Sequence, residues 1–240
     1  MRYILFDIDG TLTADGDGGG AGSAALNFAC KDLFGKENGF DGIQKAGKTD
    51  LIILKEGFAL HRVPYTPENA QAFRDRYLHY LARFVNEDGR RAHSLPGATE
   101  LLDALRERSG EAAFGLLTGN WSDGARIKLS SVGLAHYFFS NGTRPLGAFG
   151  EDAPTRPELV PVAWKRFRER FGSNAEPENT AVVGDTPRDI EAAKVNGAMA
   201  IGVTTGPYSR AQLEEAGADA VLDGISDTQA VLKVLLDGGK

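Results

Sequence analysis

The spacing of apolar residues changes character twice along this chain. It opens with a short run of β-formers, Tyr3-Ile4-Leu5-Phe6, that leads into Asp7, Asp9 and the turn pair Gly10-Thr11. A run of that length bounded by turn residues predicts a buried strand. From Ser23 to about Phe34 the sequence predicts a helix with Leu26, Phe28, Ala29 and Leu33 as its apolar residues and Gly35 as its stop. The stretch Gly39 to Gly47 is loop-like. Leu51-Ile52-Ile53-Leu54 starts a second helix, capped by Thr49 or Asp50. Thr66-Pro67 is an N-cap and N1 pair for a third, running to about Val85 with Ala70, Phe73, Tyr77, Leu81 and Phe84 on one stripe. Between residues 20 and 90 no strand pattern is found.

The rest of the chain alternates. Helices are predicted over Ala98–Arg108, Ser122–Val132, Pro157–Phe171, Pro187–Asn196, Ser209–Ala216 and Asp227–Leu236. Strands are predicted at Ala112–Leu117, Tyr137–Phe139, Thr180–Val183, Ala198–Val203 and Ala220–Leu222. Apolar strands alternating with helices imply an α/β fold: a Rossmann-like parallel sheet with helices on both faces. The all-helical stretch then reads as an inserted module. The expected division is an α/β core of residues 1–14 and 93–240 and an α-helical insert of residues 15–92. The glycine-crowded stretch Ala14 to Gly22 would be a flexible hinge between them. No Lys-Ser/Thr follows it, so it is not a P-loop.

Composition narrows the function. The chain has 27 Lys and Arg against 33 Asp and Glu, a formal charge of −6 that argues against non-specific binding to nucleic acid or an anionic membrane. Hydrophobic residues make up 42% of 240, enough for a core without staples, and the single cysteine, Cys30, rules out an internal disulfide. His61, His79, His93 and His136 show no metal-ligand spacing. No apolar run approaches the roughly 20 residues of a membrane span, and no signal-peptide pattern precedes the first strand. A soluble cytoplasmic protein, monomer or homodimer, is the expectation.

Two acids at the carboxyl end of a buried strand are costly unless they hold a cation or do chemistry. Asp7-Ile8-Asp9-Gly10-Thr11-Leu12-Thr13 resembles the opening motif of the haloacid dehalogenase-like superfamily. The resemblance recurs, in family order, at Leu117-Thr118-Gly119-Asn120 and at Val183-Gly184-Asp185-Thr186-Pro187-Arg188-Asp189. General similarity of the motifs and of the insert's position points to the phosphoglycolate phosphatase-like branch, in which such an insert is a mobile cap.

The resemblance implies hydrolysis of a small phosphorylated metabolite through a phospho-Asp7 intermediate, with Asp9 as general acid and base. It implies Mg²⁺ held by Asp7, the backbone carbonyl of Asp9, and Asp185. Asp189 would support the site as a hydrogen-bond acceptor, or simply favour its helix N-terminus. Thr118, Gly119 and Asn120 offer a hydroxyl and backbone N–H groups to phosphoryl oxygens, although the same residues suit an ordinary strand-to-helix turn. The family's basic residue is commonly a Lys-Pro lysine. Here Arg156-Pro157 occupies that place, with Lys165 as a competitor. Lys48 and Thr49 of the insert are candidates for an anionic substrate group, ahead of Lys45 and Arg83. The neighbouring chemistries are a phosphosugar mutase and a phosphonatase using Lys48. Dehalogenation and a non-catalytic phosphate-binding module fit the intact acidic motifs less well.

Overall fold

The computed structural model describes residues 1–15, 20–87, 90–139, 145–172 and 175–237. Six strands form one parallel sheet: β1 (Arg2–Phe6), β4 (Ala112–Leu117), β5 (Gly147–Ala148), β6 (Thr180–Gly184), β7 (Met199–Val203) and β8 (Ala220–Leu222), in the order β5-β4-β1-β6-β7-β8. The first strand therefore lies inside the sheet, between β4 and β6. Its side chains alternate between two buried clusters. Ile4 and Phe6 pack on one face with Leu101, Leu105, Leu129 and Leu235. Tyr3 and Leu5 pack on the other with Leu159, Phe167, Ile190 and Leu213. A strand covered on both faces must be apolar at every position, which is why this run does not alternate.

The first face is covered by α4 (Ala98–Glu107), α5 (Ser122–Ser131) and α10 (Thr228–Asp237), the second by α7 (Arg156–Phe171), α8 (Pro187–Val195) and α9 (Arg210–Glu215). The strand expected at Tyr137–Phe139 is instead a helical turn, α6 (Ala135–Phe138). A short apolar run does not distinguish a strand from a buried helical turn. Phe138 is buried and meets Phe114 edge-on, with ring centroids 5.6 Å apart. One edge strand is β5, a Gly-Ala pair with no β-former to announce it.

The insert carries α1 (Ala21–Phe34), α2 (Asp50–Leu60) and α3 (Pro67–Phe84). Their shared core centres on Phe73, whose ring lies 5.2–6.4 Å from those of Phe34, Phe40 and Phe58. Thr49 and Thr66 cap α2 and α3, accepting from the N–H of Ile52 and Asn69. Helix α1 begins two residues before the expected Ser23, so Ala21 and Gly22 are helical. The central part of the proposed hinge, residues 16–19, lies outside the described residues. On either side of the insert, β2 (Thr13–Ala14) pairs antiparallel with β3 (His93–Ser94), a two-residue ladder that the sequence does not announce.

Candidate active site

The site is built where three neighbouring strands end. Register places Phe6 of β1 opposite Leu116 of β4 and Val183 of β6, so Asp7, Thr118 and Asp185 emerge on the same edge. Crevices outside the carboxyl ends of parallel strands are the usual ligand sites of such sheets. The Asp7 N–H donates to the Val183 carbonyl at 2.9 Å, so pairing with β6 continues to the Asp7 backbone N–H. Gly10 then turns the chain with φ +80°, and any side chain there would run into the Asp185 carboxylate.

Three carboxylates and one guanidinium converge below this edge. Asp7, Asp185 and Asp189 each offer an oxygen within 4.8 Å of the others, and all three are buried. Arg156 Nη2 donates to Asp7 Oδ1 at 2.9 Å, and Nη1 faces Asp189. Arg156 is placed by α7. A capping box between Thr155 and Glu158 starts that helix, and Arg156 is its first residue. Asp189 belongs to the matching box at the start of α8. Its Oδ2 accepts from the Thr186 N–H and hydroxyl at 3.0 and 2.7 Å. Its other oxygen is turned to the cluster.

One guanidinium leaves this group two negative charges in excess if all three acids ionise. Burial, and then the charge of Asp7, push the Asp185 carboxyl up to about 7. Asp185 Oδ1 is buried without a hydrogen-bond partner. Hard carboxylate oxygens, excess negative charge and an unsatisfied buried acceptor fit a divalent oxygen-seeking cation.

The Asp9 side chain points elsewhere. Lys128 Nζ donates to both of its oxygens at 2.9 and 2.7 Å, and Asn120 Nδ2 donates to Oδ2 at 2.8 Å. Burial opposes ionisation of Asp9, but Lys128 and these hydrogen bonds outweigh it and hold the carboxyl below its ordinary range. The Asn120 side chain is oriented in turn by the Thr118 hydroxyl, which accepts from Nδ2 at 2.9 Å and from the Asn120 N–H at 3.3 Å.

Between these groups and the insert lies a cavity of about 370 Å³. Asp7, Asp9, Gly119, Asn120, Arg156 and Asp185 line its core side, and Lys45, Lys48, Asp50 and Tyr77 its insert side. Lys48 is held by Glu56 at 2.6 Å, and Lys45 by the Phe40 and Ile43 carbonyls at 2.9 and 3.3 Å. Thr49 and Thr118 are buried behind the lining. The Thr49 hydroxyl donates to the Pro154 carbonyl at 2.9 Å while capping α2. Arg83 pairs with Glu87, and Lys165 is exposed beside Glu169; neither reaches the cavity.

Sequence reading missed Lys128, Asp50 and Trp121. Asp50 accepts from the Trp121 N–H at 2.8 Å and donates its own N–H to the Gly119 carbonyl at 2.7 Å. Trp121 packs into the insert's core, edge-on to Tyr77. The motif turn is thus a docking surface for the insert. A signal for Lys128 was present: it lies on the small-residue face of its helix, one turn after Gly124 and next to buried Leu129.

The profile of the haloacid dehalogenase-like hydrolase family matches residues 1–197, and the chain belongs to that family. It is 28% identical over 236 residues to "Probable phosphatase IndB" of Dickeya dadantii, covering 97% of this chain and 94% of that protein. It is 27% identical over 236 residues to a phosphoglycolate phosphatase of Synechococcus elongatus, covering 98% and 99%. A hydrolase of known structure from Pseudomonas syringae superimposes with a TM-score of 0.67 at 24% identity, covering 97% of this chain and 98% of that one, which bears on the fold alone.

Proposed function

We propose that this protein is a Mg²⁺-dependent phosphatase that hydrolyses a small phosphomonoester through a phospho-Asp7 intermediate. The observation that carries the reading is the convergence of buried Asp7, Asp185 and Asp189 on Arg156 at the ends of β1 and β6. The family membership and the phosphatases among its relatives support it.

In this reading Asp7, the Asp9 carbonyl and Asp185 hold the ion, supported by Asp189. Mg²⁺ would supply charge neutralisation for the phosphoryl oxygens and the crowded carboxylates. Asp7 attacks phosphorus, and the bond from phosphorus to the ester oxygen breaks. Asp9, ionised beside Lys128 in the free enzyme, takes up the proton that the phosphomonoester monoanion brings and passes it to that oxygen, so the alcohol leaves neutral. Water then attacks the phosphoryl group on Asp7 and loses its proton to Asp9. Inorganic phosphate departs, and both carboxyl groups are restored. Arg156 steadies Asp7 and, with the Gly119 and Asn120 N–H groups, meets charge on the phosphoryl oxygens.

Residues 15–92 act as a cap over the core of residues 1–14 and 93–240, with β2 and β3 as the paired entry and exit. Lys48, with Lys45 beside it, faces the leaving group from the cap side. Thr49 fixes the start of α2 rather than meeting substrate. A cavity of about 370 Å³ suits a metabolite and leaves no room for a protein chain.

The test is phosphate release from a panel of small phosphomonoesters, with Mg²⁺ and with excess chelator. Release that needs Mg²⁺ and disappears in Asp7→Asn is the expected result. Release that survives intact in Asp7→Asn would overturn the reading, and isomer formation without release would reassign the enzyme as a mutase.

A further inference from the structure

We infer that Lys128 is a positioning residue for the reaction: it aims the Asp9 carboxyl at the leaving oxygen. This inference rests on the phosphatase reading above, because it assigns Lys128 through Asp9. Lys128 lies far along the chain from every acidic motif, on the buried side of α5. Its ammonium reaches across to Asp9 at the end of β1 and spans both carboxylate oxygens, at 2.9 and 2.7 Å. Asn120 takes Oδ2 at 2.8 Å. Three donor contacts, from Lys128 and Asn120, remove the rotational freedom that a carboxyl would have at the turn before Gly10. They also draw the Asp9 side chain away from the carboxylate cluster around Arg156, which does not include it. Asp9 is thereby held at the wall of the cavity that Asp7 also lines.

The cost of the arrangement argues that it serves chemistry. Burying an ammonium is unfavourable, and an apolar residue at 128 would pack beside Leu129 without that penalty. On the insert side Lys128 is bounded by Gly22 and the Tyr77 hydroxyl, a side chain at Gly22 reaching within 3.7 Å of both. Lys128 also lines the cavity, so it is the two bonds to Asp9 that hold its ammonium in place.

The experiment compares two esters. An alkyl phosphate such as glycerol phosphate needs its leaving oxygen protonated, whereas p-nitrophenyl phosphate departs as a stable anion. Lys128→Gln keeps most of the volume and a donor but removes the charge. The expected result is a kcat on the alkyl ester lowered about 100-fold, with KM within about threefold, and a loss at least about tenfold smaller in the p-nitrophenolate burst. Asp9→Asn is expected to show the same asymmetry, and the double variant to lose no more than Asp9→Asn alone. Lys128→Arg, which keeps the charge and donors, is expected to recover most of the alkyl rate. If Lys128→Gln does not fold, the alkyl-to-aryl ratio of Lys128→Met, which packs beside Leu129 without a charge, is read against wild type, a lowered ratio supporting the inference. Equal losses on both esters, an unchanged ratio, or independent losses in the double variant would overturn it. Asp7→Asn separates the two levels. If it still releases phosphate, the phosphatase reading fails. If it is inactive while the ratios stay unchanged, only the role of Lys128 fails.

Discussion

Arg156 is the residue on which the carboxylate cluster depends, since it is the buried cation facing both Asp7 and Asp189. Replacing it with Met leaves those acids without their partner. In metal-free buffer Arg156→Met should lose about 3–5 kcal/mol in denaturant unfolding, the usual cost of breaking a buried pair from one side. Arg156→Lys restores a charge but not a fork. Its kcat should fall at least about tenfold, because one ammonium does not serve two carboxylates in fixed geometry. Asp50 gives a pH-dependent prediction. Burial pushes its carboxyl up to about 6, although Lys128 and the Trp121 N–H favour its charge. The folded chain therefore binds this proton more tightly than the unfolded chain, so the contribution to stability is present below about pH 4 and lost as the pH rises through about 6. Asp50→Asn removes that titration. Relative to wild type, the variant should gain on the order of 2 kcal/mol between about pH 4 and pH 7. A difference that does not change with pH would refute the assignment.

Helix α7 shows how a local signal sets a remote geometry. The Thr155–Glu158 box fixes where the helix starts, and that start delivers Arg156 to Asp7. Thr155→Ala should destabilise the protein by about 1 kcal/mol in thermal unfolding and lower activity more than an exposed capping loss elsewhere, such as Ser209→Ala on α9. What could be read in advance follows the same logic. Strand β1 was legible because both its faces are buried and its apolar run is unbroken. Helix α3 was legible from Thr66, Pro67 and a stripe of aromatic residues. The acids were legible because carboxylates at a strand end have few other uses. Strand β5 was not, because two small residues pair with β4 through backbone alone. Lys128 was not, because a helix stripe reports which side a residue faces and not the acid it meets across the fold. The Thr118-Gly119-Asn120 turn was seen as a phosphate cradle. Its second task, docking the insert through Gly119 and Asp50, needed the three-dimensional contact.

The molecule as a whole carries a formal charge of −6 around a cavity proposed to take an anion. Arg156, Lys128, Lys48 and Lys45 line that cavity together with Asp7, Asp9, Asp15, Asp50 and Asp185, so in the proposed reading the bound cation is needed to favour an anion there. Among the described residues no helix is long and apolar enough to cross a membrane. In the proposed reading the carboxylate cluster makes stability depend on the ion. Mg²⁺ at 100 times its dissociation constant should stabilise the fold by about 2.7 kcal/mol, read as a rise in Tm, and Asp185→Asn should lose most of that rise. The central claim is that Asp7 itself captures phosphorus, and acid quench followed by peptide mass mapping tests it most directly. Enzyme mixed with Mg²⁺ and a turned-over phosphomonoester, then quenched within one turnover, should carry one phosphoryl group on the peptide containing Asp7, and Asp7→Asn should carry none. Phosphate release with no phosphorylated Asp7 peptide at any quench time, alongside an active Asp7→Asn variant, would contradict the account.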